Sequence, residues 1–236
     1  MDREQRMKLL PWVSTPVMLV LLVAGWQAAV SFGGVSEFVL PAPAAVGDTL
    51  WTLLTSDTFW TEHVTATMSE VLLGAGLALV IGVVVGVVLG RVLWLEVALR
   101  PALVAMQVIP KVALVPLFVI WFGFGMSSKV VIAMLLAFFP IMLNTLLGVR
   151  SVDSGHRDVM IGLGASRWET FRRLELPSTL PYVFTGMQVA VVFAVIGAIV
   201  GEFLGGNHGL GFLVVSSLNA LDAAQLFAVI VVLATL

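Results

Sequence analysis

The sequence has no cysteine, which excludes disulfides, thiolate metal sites and cysteine nucleophiles and leaves the redox compartment undetermined. Charge is also scarce: 11% of the 236 residues are charged and 60% are hydrophobic. A soluble domain carries about 25% charged residues. A wetted surface cannot be assembled from so few, so most of this surface must face lipid. The formal net charge of -2 says little, because its distribution matters more than its sum. His63, His156 and His208 are far apart and show no metal-ligand spacing, and there is no H-E-x-x-H motif. Also missing is the phosphate-binding pattern G-x-x-x-x-G-K-[ST]: no glycine precedes Lys8, Lys111 or Lys129. Any energy the chain uses must come from another chain or from an ion gradient.

What the sequence does contain is long apolar runs. A helix needs about 20 mostly apolar residues to cross the hydrocarbon core. Six candidates emerge: Trp12–Val30, Ala66–Gly90, Val97–Phe122, Lys129–Val149, Leu180–Leu204, and a run from Ala223 to Leu236. The last stops while still apolar, so the native chain is expected to continue past Leu236. The expected fold is an all-α, polytopic membrane helix bundle. Arg3, Arg6 and Lys8 precede the first span, Arg91 and Arg100 lie between the second and third, and Arg150, Arg157, Arg167, Arg172 and Arg173 lie between the fourth and fifth. On the other side, the stretch from Ser31 to Thr65 has four acids and no Lys or Arg, and only Lys129 falls on that face. Basic loops stay in the cytoplasm, so both termini are expected there. A cleaved signal peptide is the alternative for the first span.

Gly82, Gly86 and Gly90, with Gly74 and Ala78 before them, recur every four residues on one helix face. Small residues so placed let helices approach closely in lipid, within the subunit or across a dimer. Glycine is also simply common in membrane helices. The third span carries Pro101, Pro110 and Pro116 in its interior. Each removes a backbone donor, and freed carbonyls are tolerated at that depth only against protein or a water-filled cavity. Gln107, Pro110 and Lys111 are therefore candidate pathway residues, with Asn144 in the fourth span. Lys111 falls near mid-membrane, where a charge costs about 2.5–3.5 kcal/mol. It reads either as a counter-charge for an anion or as a side chain snorkelling to the interface.

The segment 151–177 is too patterned for a linker. Asp158-Val159-Met160-Ile161-Gly162-Leu163 has helical composition, and Gly164 is placed to end that helix. Ser166-Arg167-Trp168-Glu169 reads as a capping box opening a second helix, whose extension Pro177 is expected to limit. The result is a helical elbow with apolar candidates for exposure, suited either to docking a partner or to packing on its own membrane domain.

This loop, with Phe171 and Leu176-Pro177 after it, resembles the cytoplasmic signature of binding-protein-dependent ABC importer permeases. That signature begins Glu-Ala-Ala, has a glycine six residues after the Glu, and ends in Leu-Pro. Gly164, Ala165, Ser166, Phe171, Leu176 and Pro177 match; Asp158 replaces the Glu and keeps its charge. Val159 and Met160 replace the two alanines, a departure that alters the fit to a partner. Leu40-Pro41 with Pro43, Ile109-Pro110-Lys111-Val112-Ala113-Leu114-Val115-Pro116-Leu117-Phe118, Trp121-Phe122-Gly123, Phe138-Phe139-Pro140, Asn144-Thr145, Gly148-Val149-Arg150 and Gly209-Leu210-Gly211 look like the nitrate/sulfonate/taurine branch. The resemblance covers residues 40–236.

The resemblance implies a permease of type I ABC importer fold, with residues 1–60 forming an N-terminal span and external loop and 61–236 the transmembrane domain. It implies a second, usually identical permease subunit, a cytoplasmic ABC ATPase dimer that binds the ATP and Mg, and an extracytoplasmic substrate-binding protein. The chain itself is expected to be no enzyme, to hold no cofactor, to bind no nucleic acid, and to lie in a bacterial or archaeal inner membrane. Asp158, Val159, Met160, Leu163, Gly164, Ala165 and Ser166 would couple to the ATPase. Glu202 lies where the branch has an acid at the outer end of the fifth span, to line a gate or sit at the interface. The implied substrate is a small anion such as sulfonate, taurine or nitrate, with a thiamine precursor or aromatic compound as the alternative. An ion-gradient transporter is the rival reading. Such proteins carry embedded carboxylates, whereas here Glu70 and Glu202 are the nearest to embedded and both fall near span ends.

Overall fold

The computed structural model describes residues 3–236, with side chains at residue 14 and from residue 16 onward. The basic start, Arg3, Arg6 and Lys8, therefore falls outside the residues whose side chains are described. Among the described residues every regular element is helical: α1 (Arg3–Phe32), α2 (Pro43–Leu54), α3 (Thr65–Arg91), α4 (Leu93–Val108), α5 (Val115–Phe122), α6 (Met126–Arg150), α7 (Ser154–Gly162), α8 (Arg167–Thr170), α9 (Leu176–Gly205), α10 (Leu210–Asn219) and α11 (Ala223–Thr235). The chain divides into two compact units, one of residues 1–61 with 213–236, the other of residues 62–212.

In the first unit the Trp26 indole N–H donates to the Pro41 carbonyl at 3.0 Å. The same ring lies 5.8 Å from Phe227, so α1 and α11 meet through aromatic side chains. Asp222 caps α11, accepting from the Gln225 amide at 2.9 Å.

The second unit is built around α6, which packs between α3 and α9. Where the three helices meet, small residues line the contact with Val71 and Ile141: Ala78 from α3, Ala133 and Ala137 from α6, and Ala190, Ala194 and Ala198 from α9. Inside lipid there is no hydrophobic gain in bringing two helices together, so close van der Waals contact must supply the attraction, and small side chains permit it. The four-residue row on α3 faces α6 within the subunit. A Cβ built on Gly82 would lie 3.0 Å from Ile141, one on Gly86 2.6 Å from Thr145, and one on Gly90 2.8 Å from Val149. On the other side of α6, a Cβ on Gly197 of α9 would lie 2.7 Å from the Ala133 Cα.

Among the described residues three continuous helices are long and apolar enough to cross a membrane: Phe59–Arg91, Met126–Arg150 and Arg167–Gly205. The pair Leu93–Val108 and Lys111–Phe122, bent by 82°, makes a fourth crossing if counted as one. The first and sixth sequence candidates appear as the shorter apolar helices Pro16–Phe32 and Ala223–Thr235. The three prolines of the bent pair act differently. Pro101 is carried inside α4 and Pro116 sits in the first turn of α5, where no donor is missed. Only Pro110 breaks the helix: it forces Ile109 into an extended conformation (φ -63°, ψ 124°).

Pro177 does not limit the second elbow helix. The chain runs from α8 through a π-helical segment, Phe171–Glu175, straight into α9. Pro177 falls at the start of α9, and the wider turn there absorbs the change in hydrogen-bond register.

Candidate functional site

The elbow joins α6 to α9. Asp153 opens α7 by accepting from the Gly155 amide at 2.6 Å. The helix closes with two bonds: the Gly164 amide donates to Ile161 at 2.9 Å and the Ala165 amide to Met160 at 3.0 Å. This pair is the Schellman arrangement, which needs a left-handed residue between the two donors' acceptors and the next turn. Gly164 supplies it with φ 76°. Ser166 then starts α8 with a complete capping box. Its hydroxyl accepts from the Glu169 amide at 3.2 Å, and the Glu169 carboxylate accepts from the Ser166 amide at 2.9 Å.

Among the sequence-predicted coupling residues, Asp158, Val159, Leu163, Gly164 and Ser166 are exposed, whereas Met160 and Ala165 are half-buried. Val159 is 60% exposed and Leu163 79%, and neighbouring Ile161 and Trp168 are similarly bare. Four large apolar side chains on one short helical corner are far more than solvation tolerates without cause.

The elbow is not loosely hung. Glu175, buried in the π-helical segment, meets the Arg91 guanidinium from the end of α3 at 3.1 Å and the Arg157 guanidinium from α7 at 3.3 Å. Arg157 also donates to the Val149 carbonyl at the end of α6 (2.8 Å), and Arg91 lies over the Phe171 ring at 5.0 Å. One carboxylate thus ties α7 to the ends of α3, α6 and α9.

At the opposite end of α6 lies a second buried polar network. Lys129 pairs with Glu70 of α3 at 3.0 Å, and both are almost wholly buried. Glu202 of α9 accepts from the Thr67 hydroxyl and from the Gly211 amide, each at 2.6 Å. The Leu210 amide donates to Thr67 at 2.8 Å, and the Gly209 amide to His63 Nδ1 at 3.2 Å. Gly209 has φ 108°, and a Cβ there would collide with the Glu202 carboxylate, so only glycine allows this approach. Buried charges persist only when paired and hydrogen-bonded. The network therefore pins the chain after α9 to the start of α3.

The five candidate pathway residues do not converge. Glu202 belongs to the network at the Lys129 level. Asn144 lies 15 residues farther along α6, about 22 Å at helical rise, where its amide donates to the Pro140 carbonyl at 2.8 Å. Lys111 rests between these levels, its ammonium 4.7 Å from the Phe139 ring centre and so near the middle of α6. Gln107 and Pro110 are exposed beside the break. Sequence reasoning missed Thr67, Glu70, Lys129, Arg91, Arg157 and Glu175. The one available signal was the position of Glu70 and Lys129 at the edges of apolar runs. Among the described residues no group of three His, Asp or Glu side chains is arranged to hold a metal.

The profile of the family described as binding-protein-dependent transport system inner membrane component matches residues 78–236. The chain belongs to this family. It is accordingly a multi-pass membrane protein and the permease component of an ABC transporter. Its relatives include the riboflavin transport system permease protein of Chloroflexus aurantiacus, 41% identical over 95% of this chain and 83% of the relative. The formylaminopyrimidine transport permease protein of Halalkalibacterium halodurans is 36% identical over 93% of this chain and 87% of the relative. A putative aliphatic sulfonates transport permease protein of Escherichia coli is 33% identical over 95% of this chain and 82% of the relative.

Proposed function

We propose that the chain is one of two permease subunits in an ATP-driven importer and that its elbow receives the stroke of a cytoplasmic ATPase. The observation that carries this is the exposed apolar corner of Val159, Ile161, Leu163 and Trp168. It is mounted by Glu175 on helices that run the length of the bundle. ATP and Mg are held by the ATPase, a binding protein on the far side delivers substrate, and closure of the ATPase dimer moves the elbow. The basic elbow and both termini lie in the cytoplasm, and the Glu202 network faces the outside, where it braces the outer end of the bundle.

Two substrate classes have support. The relatives named for riboflavin and formylaminopyrimidine are 41% and 36% identical, which favours a nitrogen heterocycle. Relatives named for sulfonates and taurine are 33% and 29% identical, and the ammonium of Lys111 at mid-bundle suits an anion. Uptake assays with both classes, using the cognate binding protein, decide between them.

The coupling reading is tested by co-purifying the permease with its ATPase, with and without Gly164→Pro. The substitution should abolish association or coupled hydrolysis while membrane insertion persists. If association and coupling both survive, the elbow is not the coupling element. Because the chain has no cysteine, Ser154→Cys supplies a single thiol. Its labelling from the cytoplasmic side only is the expected result, and labelling from outside overturns the orientation.

A further inference from the structure

We propose that the groove between the elbow and the adjoining end of α3 holds the phosphate headgroup of an anionic phospholipid, with an acyl chain lying along α3. The groove encloses about 870 Å³, within the range of small-molecule sites, and its lining includes Val87, Val88, Arg91, Arg157, Arg167 and Trp168. Three arginines against the single carboxylate of Glu175 leave the groove positive. Arg91 and Arg157 each give one terminal nitrogen to a backbone carbonyl and set Nε beside Glu175 as an ion pair, without a hydrogen bond from Arg157 Nε. Their Nη1 groups and the exposed guanidinium of Arg167 have no protein acceptor among the described residues. A phosphate offers acceptor oxygens in the geometry that guanidinium donors prefer.

The neighbouring surface of α3 distinguishes a lipid from a soluble anion or an acidic protein segment. Leu73, Leu77, Val80, Ile81, Val84 and Val88 are all exposed and share one face. They form an apolar stripe about 22 Å long at helical rise, the reach of an extended acyl chain, and it ends one turn before Arg91. An inorganic phosphate or an acidic peptide has no use for that stripe; a phospholipid matches both parts. Trp168, 65% exposed beside the arginines, is the residue type that favours the headgroup level. Basic pockets at the cytoplasmic ends of membrane helices are known to take anionic headgroups. Ile161 and Trp168 belong both to this groove and to the corner assigned to the ATPase, so the lipid must stay bound when the ATPase is docked.

The test is native mass spectrometry of the purified permease, alone and with its ATPase, after exchange into an equimolar mixture of phosphatidylglycerol and phosphatidylcholine. The protein should retain phosphatidylglycerol preferentially in both preparations. Arg167→Gln should cut the preference about fivefold, the effect of removing one cation near the surface, whereas Arg167→Lys should keep most of it. Equal retention of the two lipids overturns the proposal, as does an unchanged preference in Arg167→Gln. Displacement of the lipid by millimolar inorganic phosphate would make this a soluble-anion site. Displacement by the ATPase would make it ATPase surface, and either outcome refutes the lipid assignment.

Discussion

Replacing Gly86 by alanine tests the packing that holds the bundle together. The new Cβ would lie 2.6 Å from the Thr145 Cβ and 2.7 Å from the Met142 carbonyl oxygen. Carbon atoms attract best at about 3.5–4.0 Å, so the shortfall is about 1 Å. The Met142 carbonyl belongs to the α6 backbone and cannot rotate away. Helices α3 and α6 must part, and the contacts at Gly82 and Gly90, on the same face, loosen with them. Overpacking of this kind costs about 1–3 kcal/mol. Gly76 is the internal control: it lies on the same helix, and a Cβ there meets nothing within 4 Å. Alanine is favoured over glycine inside a helix by about 0.5–1 kcal/mol, so Gly76→Ala should be neutral or stabilising. Reversible unfolding of the purified permease in mixed detergent measures both. The propensity gain is common to both variants, so they should differ by the overpacking cost alone, about 1–3 kcal/mol, with Gly86→Ala the less stable. A Gly86→Ala protein as stable as Gly76→Ala would refute the close α3–α6 contact.

Three further outcomes follow from the buried charges and the elbow. Lys129→Met strands the Glu70 carboxylate and should cost about 3–5 kcal/mol in the same unfolding assay, whereas Lys129→Met with Glu70→Met should recover most of it; a double variant less stable than the single one contradicts the pairing. Glu175→Gln leaves two guanidinium groups facing each other. These are partly exposed, so the stability loss should be modest, about 1–2 kcal/mol, but reconstituted uptake should fall while ATPase association persists; unchanged uptake removes Glu175 from the transmission. Gly164→Ala forces a side chain into the left-handed region at about 1–2 kcal/mol and should weaken ATPase association less than Gly164→Pro does, as read by co-purification; equal effects would mean that the bend angle does not matter.

The bundle's helical character, the elbow, its Gly164 bend and its Ser166–Glu169 box were legible from local pattern, whereas the Asp153 cap that opens α7 was missed. Apolar run length fixes spans because a backbone in lipid must satisfy its own hydrogen bonds. The Gly164 bend and the Ser166–Glu169 box depend on residues within one turn of each other, so their chemistry can be read along the chain. Pro110 was legible in part: the sequence marks three prolines, but Pro101 is carried inside α4 and Pro116 falls in a first turn, so only the tertiary structure singles out Pro110 as the break. Pro177 was misjudged for the same reason, since a π-helical segment ahead of it lets the helix continue.

The charged networks were decided elsewhere. Thr67 and Glu202 are 135 positions apart, and Lys129 reaches Glu70 across 59. Nothing local distinguishes a carboxylate at a span end that points to water from one buried against a lysine. Burial is a property of what packs above a residue, and here that is set by the stripes of glycine and alanine that let α3, α6 and α9 close on one another. A sequence can therefore announce where apolar helices form, although of the six expected spans only three are continuous helices of crossing length among the described residues and a fourth is bent. Which charges they carry inside, and which arginines grip Glu175, is settled only when the helices meet.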